Sequence, residues 1–351
     1  MRKKDANRLT LKAVAKHLDV STATVSNAFN RPSQLSQELR EHILAECRRL
    51  GYVGPHAESR QLRTGKTKVI GVMLSNQLSY SFSDPVANQL LQGIAQIFGQ
   101  AEYNLLVMPS QKAATQLIGI DSFVEGFIVY GPPAPDRMDD LLFHRKAIVT
   151  IDFEYPGLVS INIDNRKAAF SCAMHALSHK PRHPGVLGLR LMDSSWVESI
   201  EGKTLYDEFS NITVQRLRGY QDAAVASEVY IPENRIWSIP DNNHVYAYQA
   251  AQMALRQTPR PDLLICMSDR VALSTLAAAR DMGLRVPKDL MITGFDGIEE
   301  AEMSQPNLTT IVQPSVEKGR VAAEIFLGIR EEQSLILPES LKVGGSCPHP
   351  L

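Results

Sequence analysis

The first two stretches of the chain with helical hydrophobic spacing lie between Thr10 and Asn30. Apolar residues recur there at intervals of three and four, at Leu11, Val14, Ala15 and Leu18 and again at Val25, Ala28 and Phe29. This spacing predicts one buried face on each helix. Thr10 and Ser21 precede the two stripes and predict the N-caps, because a hydroxyl oxygen can accept from a backbone N–H of the first turn. The pattern predicts two short helices joined by a tight turn.

A third helical stripe follows a short loop. It begins after Ser36, a predicted N-cap, and Gly51 supplies the predicted stop. Its buried positions are Leu39, Ile43, Cys47 and Leu50. The pattern therefore predicts a small all-α domain of three helices in about fifty residues, with a marginal core of its own.

From Lys68 onward, short continuous apolar runs alternate with amphipathic stretches. The runs that predict strands are Val69–Leu74, Leu105–Met108, Gly126–Tyr130, Ile148–Ile151, Val186–Leu189, Leu263–Cys266 and Met291–Phe295, and the clearest helices are predicted at Val86–Ala101, Asn165–Ser178 and Val271–Met282. Strands of this kind are typical of parallel sheets covered by helices on both faces. The body is therefore predicted to be α/β.

Polar residues follow most of the predicted strands. They are Ser75-Asn76, Pro109-Ser110, Gly131-Pro132, Asp152, Ser268-Asp269 and Asp296. Because the carboxyl ends of parallel strands meet at one edge of a sheet, and ligands bind there, these residues predict a binding cleft.

Composition and charge narrow the class of protein. The 351 residues include no continuous apolar run that could span a bilayer, and the basic N-terminus has no apolar core of a secretory signal. The four cysteines are scattered without a CxxC pair, which favours a reducing cytoplasm over a disulfide framework. Up to Lys66 there are 13 Lys and Arg against 6 Asp and Glu, whereas the remainder is acidic. A basic head on an acidic body predicts that the head meets a polyanion.

The outer face of the second predicted helix is small and polar, at Thr22, Ala23, Ser26 and Asn27. Hydroxyls, amides and methyl groups on a short helix suit the floor of the DNA major groove. An ordinary helical hairpin is the alternative for this stretch alone.

Longer motifs carry a family resemblance. The segment TLKAVAKHLDVSTATVSNAFN, followed by LGY and then SRQLRTGKTKVIGVML, resembles the LacI/GalR family of bacterial transcription regulators. The resemblance implies a helix-turn-helix head over 1–54, a hinge helix and linker over 55–67, and a two-lobed body over 68–345, similar to periplasmic sugar-binding proteins. The first lobe is expected at about 68–164 and 297–326, and the second at about 165–296 and 327–345.

The family pattern also implies roles for DNA contact. Thr22, Ala23 and Asn27 match base-reading positions, and Ser21, Thr24, Ser26 and Asn30 match positions that hold phosphates. Leu62, flanked by Arg60, matches the leucine that wedges between base steps of the minor groove, although a linker leucine packed on the body is the alternative. Asp19 replaces a usual glycine in the turn, and Asn27 replaces a frequent arginine, so the operator is expected to differ there.

The effector residues implied by the resemblance are Ser75, Asp152, Lys167, Ser268 and Asp296. Phe82 and Asp84 join them as residues of the loop after the first strand, since an aromatic ring and carboxylates suit a polyol. Asp269 is left open between the cleft and the cap of the following helix.

The expected ligand is a small metabolite, most simply a carbohydrate, and the expected partners are a palindromic double-stranded DNA operator and a second copy of the chain, with no membrane. The C-terminal stretch lacks leucine heptads, which favours a dimer.

Enzyme and metal motifs are weak. Gly65-Lys66-Thr67 lacks the first glycine of a P-loop. His175 and His179 stand one helical turn apart but lack the Glu of a zinc-protease motif, so no metal site and no cofactor are predicted. No nucleophile and base pair is evident.

The sequence therefore predicts a repressor rather than an enzyme. The alternatives are a solute-binding protein, which calls for a signal peptide, and a sugar-modifying enzyme, which calls for a catalytic constellation.

Overall fold

The computed structural model describes residues 10–30, 34–50, 52, 67–110, 123–207 and 211–350. The chain forms two compact units, Met1–Lys68 and Val69–Leu351. We refer to them as the head and the body.

The described residues of the head form three helices, α1 (Leu11–His17), α2 (Thr22–Asn30) and α3 (Gln37–Arg49). The predicted caps of α1 and α3 are present, because Thr10 accepts from the Ala13 N–H at 3.2 Å and Ser36 accepts from the Leu39 N–H at 3.3 Å. Asp19 takes φ 52° in the turn between α1 and α2, a left-handed conformation that Asp tolerates. The shared core consists of Val14, Ala15, Val25, Ala28, Ile43, Cys47 and Tyr52.

In the body, residues 69–110, 123–207 and 211–350 form two sheets, each built mainly of parallel strands. The first lobe's sheet has the order β12-β5-β4-β3-β1-β2 and the second lobe's sheet the order β13-β11-β10-β9-β6-β8-β7. The strands are β1 (Val69–Leu74), β2 (Asn104–Pro109), β3 (Gly126–Tyr130), β4 (Ala147–Ile151), β5 (Val159–Asn162), β6 (Pro184–Leu189), β7 (Glu198–Ser199), β8 (Ile236–Ile239), β9 (Leu263–Cys266), β10 (Met291–Asp296), β11 (Thr309–Val312), β12 (Leu335–Ile336) and β13 (Ser340–Lys342). Within the described part of the chain, β7 and β13 are the strands that pair antiparallel, at the two edges of the second sheet.

Helices cover both faces of each sheet. They are α4 (Leu78–Ser81), α5 (Pro85–Gln100), α6 (Pro135–Phe143), α7 (Asn165–Leu177), α8 (Ile212–Ala226), α9 (His244–Leu255), α10 (Asp269–Asp281), α11 (Glu299–Met303) and α12 (Ser315–Phe326). In the first lobe, α5 and α12 pack on one face and α6 on the other; in the second, α7 and α8 face α9 and α10 across the sheet. No helix among the described residues is long and apolar enough to cross a membrane.

The chain passes between the lobes three times, and two of the crossings differ from the prediction. The first lies where expected, between β5 and α7. The return was expected near Asp296, but β11 pairs in parallel with β10, so the chain stays in the second lobe until residue 313. The last crossing was expected near Leu327, but β12 pairs with β5 in the first sheet, which moves it to residues 337–339. Thus 297–312 belongs to the second lobe and 327–336 to the first. These short strands carry weak hydrophobic patterns and exist through pairing with strands distant in sequence.

Candidate functional site

The helix α2 presents a small polar surface. Thr22 and Ala23, in its first turn, are exposed, and Asn27 lies one turn further along, partly buried. The opposite face holds Val25 and Ala28, both fully buried in the head's core. The helix therefore has one face committed to packing and another that offers a hydroxyl, a methyl group and an amide.

Hydrogen bonds orient several of these side chains. The Ser21 hydroxyl accepts from the Thr24 N–H at 2.9 Å, as the predicted cap of α2, and pairs with the Thr24 hydroxyl at 2.7 Å. The Asn27 side chain donates through Nδ2 to Oε1 of Gln34 at 3.0 Å. That bond leaves the Asn27 oxygen and one amide hydrogen free, which is the pair that recognises adenine N6 and N7.

Of the remaining predicted DNA contacts, Ser26 is among the described residues. Ser26 lies partly buried on α2. The side chain of Asn30, together with Arg60 and Leu62, lies outside the described residues, so the hinge-helix prediction stays a prediction.

A cavity of about 220 Å³ lies between the two lobes at the carboxyl edges of both sheets. Its first-lobe lining includes Ser75, Asn76, Tyr80, Asp84, Tyr130, Gly131, Pro132 and Asp152, and its second-lobe lining includes Arg190, Arg216, Pro240, Asp241, Asn242 and Asp296. Four of the predicted effector residues, Ser75, Asp84, Asp152 and Asp296, thus converge on one space.

Asp84 serves the fold as well as the cavity. Its carboxylate accepts from the Val86 N–H at 3.3 Å and so caps α5. Burial raises the pKa of Asp84 above its ordinary value, and the Val86 N–H partly offsets that rise.

The remaining four predicted effector residues lie elsewhere. Phe82 follows α4 with 56% of its surface exposed, and Lys167 points outward from the first turn of α7. Neither is among the residues that line the cavity. The aromatic rings that line the cavity are those of Tyr80 and Tyr130. No pattern in the sequence distinguished these two positions.

Ser268 and Asp269 are fully buried and act within the second lobe. The Ser268 hydroxyl caps α10 by accepting from the Val271 N–H at 3.2 Å, and it donates to the side-chain oxygen of Asn242 at 2.8 Å. Ser268 thereby orients Asn242, which does line the cavity. Asp269 was expected either to face the cleft or to cap the following helix. In the structure it neither lines the cavity nor caps that helix.

Asp269 accepts from the N–H groups of Gly297 and Ile298, at 2.7 and 2.9 Å, and from the Thr310 hydroxyl at 2.6 Å. Burial raises its pKa to about 6 and these donors lower it. The carboxylate therefore fixes the loop after β10, directly beside Asp296.

Sequence inspection missed the residues that join the lobes. Lys318, on α12, is 1% exposed and donates to the Asp152 carboxylate at 2.5 Å and to the Gln313 side-chain oxygen at 2.8 Å. Gln313 in turn donates to Asp296 at 2.8 Å. Asp152 directly follows the first lobe's β4 and Asp296 ends the second lobe's β10, so this buried polar chain crosses from one lobe to the other at the cavity.

Arg216, on α8, supplies the cation on the second-lobe side. It lies 3.6 Å from Asp296 and donates to the side chain of Asn165 at 2.9 Å and to the Met267 carbonyl at 2.8 Å. Burial raises the pKa of Asp296 to about 8, and the Arg216 charge opposes the rise. Nothing in the local sequence pattern distinguishes the inward direction of Arg216.

Three lining residues hold unusual backbone conformations. Asp152, Arg190 and Asp296 have φ values of 62°, 25° and 124°. Non-glycine residues in this region cost on the order of 1–3 kcal/mol each and cluster at ligand sites. The strand ends are therefore shaped toward the cavity at the expense of local stability.

The comparisons with known proteins agree with this architecture. Residues 10–54 match the model of bacterial regulatory proteins of the lacI family, and residues 204–347 match that of a periplasmic binding protein-like domain. An HTH-type transcriptional regulator of Mycobacterium tuberculosis is 35% identical over 327 residues, covering 91% of this chain and 90% of that protein.

Two solved structures extend the likeness in fold. The lac repressor dimer bound to operator and the anti-inducer ONPF has a TM-score of 0.72 at 20% identity, covering 97% of this chain and all of that one. The transcriptional regulator CelR in complex with cellobiose has a TM-score of 0.66 at 21% identity, with 97% of this chain and all of that one covered. Taken with the helix-turn-helix head and the two-lobed body, the relationship to the mycobacterial regulator places this chain in the LacI family of bacterial transcriptional regulators.

Proposed function

We propose that the protein is a repressor that binds a palindromic operator as a homodimer and is switched by a small polyhydroxylated metabolite in the cavity between the lobes. The observation that carries the proposal is the buried polar chain Asp152–Lys318–Gln313–Asp296, because a ligand that touches its ends touches both lobes at once.

The lining of the cavity favours a polyol over an ion of one sign. The carboxyl groups of Asp84, Asp152 and Asp296 line the cavity together with the Arg216 guanidinium, and the Lys318 ammonium bonds to Asp152. A hydroxyl group both donates and accepts, so it can satisfy either kind of partner. At about 220 Å³ the cavity is smaller than the ~300–1,000 Å³ of drug-sized sites, which suits a compact metabolite. The cellobiose bound to CelR supports the carbohydrate class.

On the DNA side, the exposed Thr22 and Ala23 and the oriented amide of Asn27 support base reading by the first turns of α2. Ser21 and Thr24 stand at the start of that helix, where hydroxyls and free N–H groups suit phosphate oxygens. With asparagine at position 27, we propose adenine at the matching base pair of each half-site.

The mechanism is linkage between two binding equilibria. A metabolite that binds the two lobe arrangements unequally shifts the population of the DNA-binding form, and operator DNA must shift metabolite affinity by the same factor. Coupling of this kind typically amounts to about 5–150-fold in affinity.

Three measurements test the proposal. Selection from random-sequence DNA should yield a palindrome, and a thermal-shift screen of neutral sugars and polyols should yield a ligand that raises the melting temperature. Fluorescence anisotropy with the selected palindrome should then show that this ligand changes operator affinity. Selection without a palindromic consensus, or a stabilising ligand that leaves operator affinity unchanged, contradicts it.

A further inference from the structure

Three metal-ligating side chains meet in the second lobe, away from the cavity between the lobes. They are His175 on α7, His179 in the turn just after it, and Cys347 near the C-terminus. One ligand atom from each lies within 4.8 Å of the other two. Sequence spacing showed only the two imidazoles, because the thiol comes from 172 residues beyond His175.

The second lobe's core fixes the thiol's position. Ser346 donates through its hydroxyl to the Ile292 carbonyl at 2.6 Å, and the Thr309 hydroxyl donates to the Cys347 carbonyl at 2.7 Å. These bonds tie the C-terminal segment to β10 and β11. Cys347 is fully buried, and α7 supplies the neighbouring wall.

The two rings contact the C-terminal segment through hydrogen bonds. His175 donates through Nε2 to the Cys347 carbonyl at 2.8 Å, and His179 donates through Nε2 to the Pro348 carbonyl at 2.7 Å. A backbone carbonyl that accepts from one ring nitrogen leaves the lone pair on the other, and such partners are typical of metal-binding histidines. The ring of His349 lies edge-on to His175 at 5.4 Å, which adds a third imidazole to the surroundings.

We propose that His175, His179 and Cys347 form a three-ligand site for Zn²⁺ or a similar borderline-soft divalent ion, which staples the C-terminal segment to α7. Ligand atoms on one tetrahedral zinc lie about 3.4–3.6 Å apart, so the three groups need shifts of roughly an ångström to close on the ion. Binding converts the Cys347 thiol to a thiolate, and its proton passes to the buffer.

The test uses full-length protein stripped of metal with a chelator. Zn²⁺ alone should bind with one-to-one stoichiometry and raise the melting temperature, and Co²⁺ should give a thiolate-to-metal charge-transfer band. The band should be absent in Cys347→Ser. In His179→Ala, at a partly exposed position, zinc affinity should fall by at least about tenfold, since even the loss of an outer partner costs 10–100-fold.

Matched controls use residues of the same lobe outside the cluster. His183→Ala and Cys266→Ser should keep both the zinc affinity and the cobalt band. Zinc binding that is equally strong in His179→Ala and His183→Ala, a cobalt complex of the wild-type protein without the thiolate band, or no binding at all overturns the proposal. Because His179→Ala leaves the buried thiol in place, a folding defect in Cys347→Ser does not decide the outcome.

Discussion

Lys318 is a fully buried cation that donates to the Asp152 carboxylate and to the Gln313 side chain. Taking an ammonium and a carboxylate out of water costs several kcal/mol each, so such a pair gives weak evidence for stability by itself. Its position says more. The ion pair lies beside the cavity, and hydrogen bonds through Gln313 connect it to Asp296 in the opposite lobe. A ligand bound in the cavity can therefore change the contacts between the two lobes.

Replacing Lys318 with Met leaves the Asp152 carboxylate buried without its cation. The free energy of unfolding should fall by about 3–5 kcal/mol, measured by urea denaturation of the effector-free protein. The double variant Lys318→Met/Asp152→Asn should recover most of the loss, because neither charge remains. A double variant as unstable as Lys318→Met alone contradicts this account.

Asp296 should make stability depend on pH. Burial raises its pKa to about 8 in the folded protein, whereas an unfolded Asp titrates near ~3.9. The folded state therefore holds the proton more tightly, and this contribution to stability is complete below about pH 4 and is lost as the pH rises toward 8.

We expect the stability of the wild-type protein relative to Asp296→Asn to fall as the pH is raised from about 5 to about 8. Urea midpoints of both proteins across that range give the difference. A difference that is constant, or that grows with pH, shows that Asp296 is already ionised in the folded protein.

At the scale of elements, α5 and α12 interlock through two glycines. A Cβ at Gly93 would meet the Val316 carbonyl oxygen, and a Cβ at Gly319 would meet the Leu90 carbonyl oxygen. The helices can approach so closely only because neither position has a side chain. Since α12 carries Lys318, this packing also sets the distance between Lys318 and Asp152.

Gly319→Ala should push α12 away from α5. We expect a loss of about 1–3 kcal/mol in the free energy of unfolding, typical of overpacking, and a smaller effect of the metabolite on operator affinity. Gly99→Ala is the matched control, because a Cβ at Gly99 on α5 meets nothing within 4 Å and alanine favours helix. If both variants have wild-type stability and coupling, the close approach of the helices is unimportant.

At the scale of the whole molecule, charge is divided between the two units. The head side up to Lys66 carries the excess of Lys and Arg, and the body is acidic. An acidic body is repelled by phosphates, so DNA affinity should rest on the head and should be electrostatic to a large extent.

Operator affinity should therefore fall steeply with salt, by about 10³-fold or more between ~50 and ~200 mM if six or more phosphates are neutralised. Lys16→Glu, on the exposed side of α1, should weaken binding and flatten the salt dependence, whereas Lys288→Glu in the body should change neither. Anisotropy titrations at several salt concentrations measure both slopes. Equal effects of the two charge reversals contradict a head-only interface.

Much of the architecture is local in origin and was therefore predictable. Continuous apolar runs predicted β1, β3 and β9 with their observed bounds, and Thr10, Ser21 and Ser36 were identified as caps because a cap involves residues only a turn apart. The family and the class of regulator followed from motif spacing along the chain.

The cavity residues that were predictable were also those whose position depends on local pattern. Ser75, Asp152 and Asp296 follow apolar strands, and the carboxyl ends of parallel strands bring such residues together whatever the details of packing. Lys167 and Ser268 were predicted only by their positions in a family pattern. Lys167 faces solvent and Ser268 lies in the core, because the direction of a side chain depends on how its helix packs against the rest of the lobe.

Sequence by itself therefore determined the three helices of the head, the seven strands with continuous apolar runs, the parallel pairing expected of them and the exposed polar face of α2, since each depends on residues close together along the chain. Only the tertiary structure decided that Lys318 neutralises Asp152, that Arg216 stands against Asp296, and that Cys347 joins His175. Each of these pairs joins residues 80 or more positions apart, and the direction of each side chain depends on how whole helices pack across the two sheets.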